Sequence, residues 1–119
     1  MQKETRMEIN HTQFPRCDLI KVAGRIDSYT YPTLYSLLNS LISSGRYNII
    51  LDLVAVTHLS SAGLRIMIDM HKICRQSGFG EIVLINLPSR VQETLELTGF
   101  LPLYKVFDDQ DKAVGYFTG

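Results

Sequence analysis

The side chains with chemistry to offer are few: three histidines, two cysteines and one pair of adjacent serines in a telling place. His11, His58 and His71 are scattered, with no HExxH and no Cys/His cluster, so no metal site is expected. Neither GxGxxG nor GxxxxGK[ST] occurs, which removes the usual signs of dinucleotide and P-loop nucleotide binding; no cofactor is expected. His58 stands close enough to Ser60 and Ser61 to suggest a small hydrolase using Ser61 and His58. That chemistry needs a positioned carboxylate, an oxyanion hole and a Gly-x-Ser-x-Gly elbow, and the elbow is missing. The expectation is a protein that is not an enzyme. His71, on the apolar side of a helical pattern, reads as a packed or rim residue. Cys17 and Cys74 lack CxxC spacing and sit in apolar surroundings, as buried reduced thiols do.

The informative segment is Leu51-Asp52-Leu53-Val54-Ala55-Val56-Thr57-His58-Leu59-Ser60-Ser61-Ala62-Gly63-Leu64-Arg65. It reads as a strand, a short loop and a helix start. Ser60 or Ser61 would cap the helix by accepting a free N–H of its first turn. Small Ala62 and Gly63 let another backbone or a partner come close. Capping is the ordinary role of a serine here, but the same position suits a phosphate. A phosphoserine carries about −1.5 to −2 charges, and a helix N-terminus tolerates them well. The fold would survive the modification while the surface met by a partner changed. Arg65, one turn in, either pairs with such a phosphate or is simply solvated.

The elements that position this segment follow from pattern and punctuation. Residues 19–24 read as a strand ending in Gly24, with a weaker strand before it at 7–12. From 31 to 44, Leu34, Leu37, Leu38, Leu41 and Ile42 recur at helical spacing, with Pro32 in the first turn and Gly45 past the end. Residues 47–53 form a near-continuous apolar run, suited to a strand covered on both faces. A second helix is expected over 61–77, with Leu64, Met67, Ile68, His71 and Cys74 on one side. A buried strand follows at 82–85, and a third helix at 89–98, closed by Gly99 at a left-handed cap. The tail should hold a short strand near Val106 and a last helix from about Asp109. This order predicts an α/β domain with a mixed sheet: an antiparallel pair, then parallel right-handed crossovers. The functional surface of such sheets lies beyond the carboxyl ends of the parallel strands, here the loops at 24–30 and 56–63.

A chain of 119 residues, 45% hydrophobic and 20% charged, is enough for one compact domain, 1–119, with a core. The formal net charge is zero, which speaks against nucleic acid as the partner. The longest apolar stretch, at 49–56, is interrupted by Asp52 and falls short of the roughly 18 residues needed to span a bilayer. Met1-Gln2-Lys3-Glu4-Thr5-Arg6 lacks the apolar segment of a signal peptide. A cytoplasmic protein without a membrane span, and a monomer, is expected.

Val22-Ala23-Gly24-Arg25-Ile26-Asp27, then Leu51-Asp52-Leu53 with Leu59-Ser60-Ser61-Ala62-Gly63-Leu64, then Leu97-Thr98-Gly99-Phe100 are together specific. In this order and spacing the chain resembles the STAS domain, from about residue 18 to 113, and within it the free-standing bacterial anti-sigma factor antagonists. The resemblance implies a STAS (SpoIIAA-like) fold, with a mixed sheet of four to five strands and about four helices. It implies phosphorylation of the serine before the small residue and Gly, here Ser61. The kinase would be the anti-sigma factor itself, of the histidine-kinase-like ATPase fold; unphosphorylated antagonist binds it, and phosphorylated antagonist lets go. A metal-dependent serine phosphatase would reset the switch. Asp27 would lie near the phosphosite on the partner-facing surface, to which Ser28, His58, Ser60, Ala62, Gly63 and Arg65 are also assigned. Many members carry Asp just before the acceptor serine; Ser60 stands there, which leaves Ser60 as an alternative acceptor. The plainer role for Asp27 is that of a turn residue that satisfies local N–H groups. Other STAS domains serve as accessory subunits of lipid-transport complexes or control secretion and exopolysaccharide systems, and this is the second expectation for the partner.

Overall fold

The computed structural model describes residues 7–78 and 80–118; the expectation drawn from residues 1–6 lies outside them. Strand β1 (Met7–Gln13) turns back onto β2 (Asp18–Ile26), and α1 (Tyr31–Ser43) leads to β3 (Asn48–Leu59). Helix α2 (Ser61–Gln76) leads to β4 (Glu81–Ile85); α3 (Ser89–Leu97) and a 3-10 turn (Leu101–Leu103) lead to β5 (Val106–Phe107) and α4 (Gln110–Thr118). The five strands lie in chain order, β1 antiparallel to β2 and the rest parallel.

The apolar run of β3 serves two cores. Ile49, Leu51 and Leu53 join Ile20, Val22, Ile82 and Leu84 beneath Leu34 and Leu38 of α1, Met67 and Cys74 of α2, and Val91 and Leu95 of α3. Ile50 points the other way with Leu19, Val83 and Ile85, onto Ala113 of α4, flanked by Phe107 and Phe117. Both cysteines are buried free thiols, and burial pushes Cys74 up to about 11.

β3 differs from expectation in length. It continues to Leu59, so the loop expected at 56–63 shrinks to Ser60, and the loop expected from Gly24 begins only after Ile26. Twice along the β2 pairing β3 carries an extra residue: Lys21 and Ala23 face Asp52 and Ala55, while Gly24 and Arg25 face Val56 and His58. These bulges break the alternation by which a strand is recognised.

A charged cluster holds the opposite end of the sheet. Asp18, fully buried, accepts from Arg46 Nε at 2.8 Å and lies 2.7 Å from His11 Nε2. Arg46 also donates to the carbonyls of Phe14, Pro15 and Cys17, so one guanidinium ties the β1–β2 turn to the entrance of β3. A carboxylate can be buried at this depth only when paired in this way.

His71 is buried between α2, β4 and the 3-10 turn, its ring 4.7 Å from that of Tyr104. The Ile82 N–H donates to Nδ1 at 3.1 Å, so the ring proton belongs on Nε2, 3.0 Å from the Leu103 carbonyl. Burial lowers the His71 pKa below the ordinary histidine value; the Leu103 carbonyl and Glu81 oppose this, and Arg75 adds to it. The unfolded chain therefore takes up a proton before the folded one, and stability falls as the pH drops below about 6.5. Urea unfolding at about pH 7.5 and about pH 5.5 should give a shallower loss of stability in His71→Gln than in the native chain.

Candidate functional site

Two neighbouring chain segments meet beyond the carboxyl ends of β2 and β3. The Ile26 carbonyl, at the end of β2, accepts the Ser60 N–H at 2.9 Å. Gly63 makes the approach possible: a Cβ there would lie 2.5 Å from Ile26 Cγ2 and 3.0 Å from the Ile26 carbonyl oxygen and from Leu59. Gly63 is buried, so it acts by admitting the strand to the helix rather than by facing a partner.

Past Ile26 the chain winds around Asp27. Its carboxylate accepts the Tyr29 N–H at 2.9 Å and the Thr30 N–H at 3.2 Å, with Arg25 Nε at 3.2 Å on the other oxygen. The Asp27 N–H donates to the Thr30 hydroxyl, which donates to the Arg25 carbonyl. Burial pulls the Asp27 carboxyl upward, but the hydrogen bonds from Tyr29, Arg25 and Thr30 together outweigh it and hold the group below its usual value. Asp27 thus sets the turn that starts α1, as a turn aspartate would. Ser28 beside it is exposed, and Tyr29 is 91% exposed.

The two serines have different tasks. Ser60, extended and half-buried, is the N-cap of α2: its hydroxyl accepts the Gly63 N–H at 3.2 Å. Ser61 is the first helical residue, exposed, and its hydroxyl makes no hydrogen bond among the described residues. His58 lies opposite Arg25 near the end of β3 and is not bonded to Ser61, so the Ser–His pair that a hydrolase would need is not formed.

Ser61 stands on a crest between two open grooves. One, of about 760 Å³, lies between α1 and α2, with Tyr31, Tyr35, Ala62, Ile66 and Met70 among its walls. The other, of about 460 Å³, runs past Leu64 and Ile68 to Thr98 and Phe100. Ser61, Arg65 and Asp69 line both. The α1 side of the first groove was not foreseen; the four-residue spacing of Tyr31 and Tyr35, just off the Leu34–Leu38–Leu41 stripe, is the signal that reveals it.

A model of the STAS domain matches residues 8–113. The chain belongs to this family. Over 94 residues this STAS domain is 33% identical to BtrV of Bordetella bronchiseptica, named as an anti-sigma factor antagonist, covering 79% of this chain and 80% of that one. The crystal structure of an anti-sigma factor antagonist from Mycobacterium paratuberculosis has a TM-score of 0.86 at 18% identity, over 100% of both chains. SpoIIAA of Bacillus, solved unphosphorylated and phosphorylated, gives TM-scores of 0.77 and 0.75 at 14% identity. The unphosphorylated form covers 94% of this STAS domain and 99% of that chain, the phosphorylated form 92% and 98%. At such identities the solved structures establish the fold. Among the described residues no helix is long and apolar enough to cross a membrane.

The division between the serines is measurable by urea unfolding. Ser60→Ala should lose about 1 kcal/mol with the cap, whereas Ser61→Ala should stay within about 0.5 kcal/mol of the native chain.

Proposed function

We propose that this STAS domain is an anti-sigma factor antagonist whose hold on its partner is switched by phosphate on Ser61. One observation carries the assignment to that serine: the Ser61 hydroxyl is exposed and unengaged, while the Ser60 hydroxyl is committed to the cap. The name of the Bordetella bronchiseptica relative supports the antagonist role, and a phosphorylated SpoIIAA supports the modification.

The partner on this reading is an anti-sigma factor that is also a serine kinase, of histidine-kinase-like ATPase fold. The γ-phosphoryl group of ATP passes to Ser61 Oγ: the new O–P bond forms as the bond to the ADP oxygen breaks, and the hydroxyl proton leaves to a base of the kinase. A metal-dependent phosphatase reverses the state by hydrolysis, water taking the phosphoryl group and the proton returning to Oγ. At the first residue of α2 the phosphate meets free N–H groups and the positive end of the helix, so the fold accommodates it. The partner meets a new dianion instead, and like-charge contact across an interface costs several kcal/mol. Asp27, Ser28, His58, Ala62 and Arg65 form the rest of the contact surface, with Ser60 and Gly63 holding it in place.

The test captures partners from the native host with Ser61→Ala and Ser61→Asp, and maps phosphate by mass spectrometry. The alanine form should retain a histidine-kinase-like ATPase that the aspartate form loses at least about tenfold, an effect of ~1.4 kcal/mol. Phosphate should disappear in Ser61→Ala and persist in Ser60→Ala. Equal capture by both Ser61 forms would overturn the proposal.

A further inference from the structure

Among the described residues the side chains of Arg16, Arg65 and Arg90 have no hydrogen bond or ion pair, and of these three Arg65 alone shares the helix of Ser61. Arg25, Arg46 and Arg75 are each tied to a carboxylate, of Asp27, Asp18 and Glu81. Arg65 is exposed and has no hydrogen bond or ion pair among the described residues, even with Asp69 one turn further on. It follows Ser61 by four residues on the same helix, a step of about 6 Å along the axis that brings side chains onto one face. Their common face is confirmed by the two grooves, both lined by Ser61 and Arg65.

We propose that Arg65 is the built-in counter-ion of a phosphate on Ser61, an inference that rests on Ser61 being the acceptor. An anion at i with a cation at i+4 is the better of the two orientations on a helix, because each charge also suits the end of the helix dipole it faces. The planar guanidinium offers two parallel N–H donors to two phosphate oxygens, which a lysine ammonium cannot. Phosphorylation then does two things at once. It adds negative charge at the helix start, and it withdraws the Arg65 cation from the crest between the grooves. A partner carboxylate that meets Arg65 in the unmodified form loses its counter-charge, and Asp69, which has no ion pair among the described residues, adds its negative charge beside the phosphate. The switch thereby acts on a patch spanning two helical turns rather than on a single hydroxyl.

The test places phosphoserine at position 61 during synthesis by stop-codon suppression, so that no kinase is required. The second ionisation of the phosphate is then followed by phosphorus NMR in the native chain, Arg65→Gln and Arg65→Lys, with circular dichroism to establish that each is folded. Pairing with Arg65 favours the dianion, so the native midpoint should lie about 0.3–0.6 below that of Arg65→Gln. Arg65→Lys should recover part of the difference, and about 1 M salt should erase most of it. Equal midpoints in the native chain and Arg65→Gln at low salt would overturn the counter-ion role. Absence of phosphate from Ser61 in the host would instead sink the functional proposal, so the two failures are distinguishable.

Discussion

The hydrogen bond from the Ser60 N–H to the Ile26 carbonyl is the constraint on which the site depends. It joins the last residue of β2 to the residue that caps α2, two points far apart in sequence. The turn organised by the Asp27 carboxylate grows from one side of this junction, and the cap formed by Ser60 grows from the other. The bond is possible only because position 63 has no side chain: a single methyl group there would strike Ile26 and Leu59. Backbone contact, rather than any bond between functional side chains, sets where Ser61 stands relative to Asp27.

The sheet separates its tasks by end. At the amino ends of the parallel strands, buried Asp18 with Arg46 and His11 closes off the β1–β2 turn. Removing Arg46 would leave the buried Asp18 carboxylate without its guanidinium, a loss that disfavours other arrangements of that end. The other end is finished by short polar turns and caps whose partners are backbone groups, leaving hydroxyls and a guanidinium facing outward. The two ends are therefore finished by different means, a buried ion pair at one and turn and cap hydrogen bonds at the other.

The sequence made the helices and the buried strands legible because their signals are local. The Leu34–Leu38–Leu41 stripe, Gly99 at its left-handed cap and the doubly buried run of β3 each announce themselves within a few residues. Where the signal is long-range it failed. The last part of β3 reads as loop because two bulges disturb its alternation, and only its pairing with β2 reveals a strand. Asp18 looks like an ordinary polar residue until Arg46, 28 positions later, is brought to it. The choice between Ser60 and Ser61 as cap depended on where strand hands over to helix, which the bond to Ile26 decides. Ser61, Asp27 and their shared end of the sheet were legible through the family motif, but the grooves were not, since they lie between helices whose packing no local pattern states.

The bulges of β3 have a consequence for solubility. β3 outruns β4, whose pairing stops at Asp52, so Leu53 to Leu59 have a strand neighbour on one side only among the described residues. A strand edge of this kind, with Val54 more than half exposed, is a template on which another chain could add itself edge to edge, although Leu53, Val56 and Leu59 within it are buried. Two irregularities within a few residues leave no regular ladder for an incoming strand to match. The same kinks that carry the chain toward Ser60 thus protect an exposed edge from aggregation.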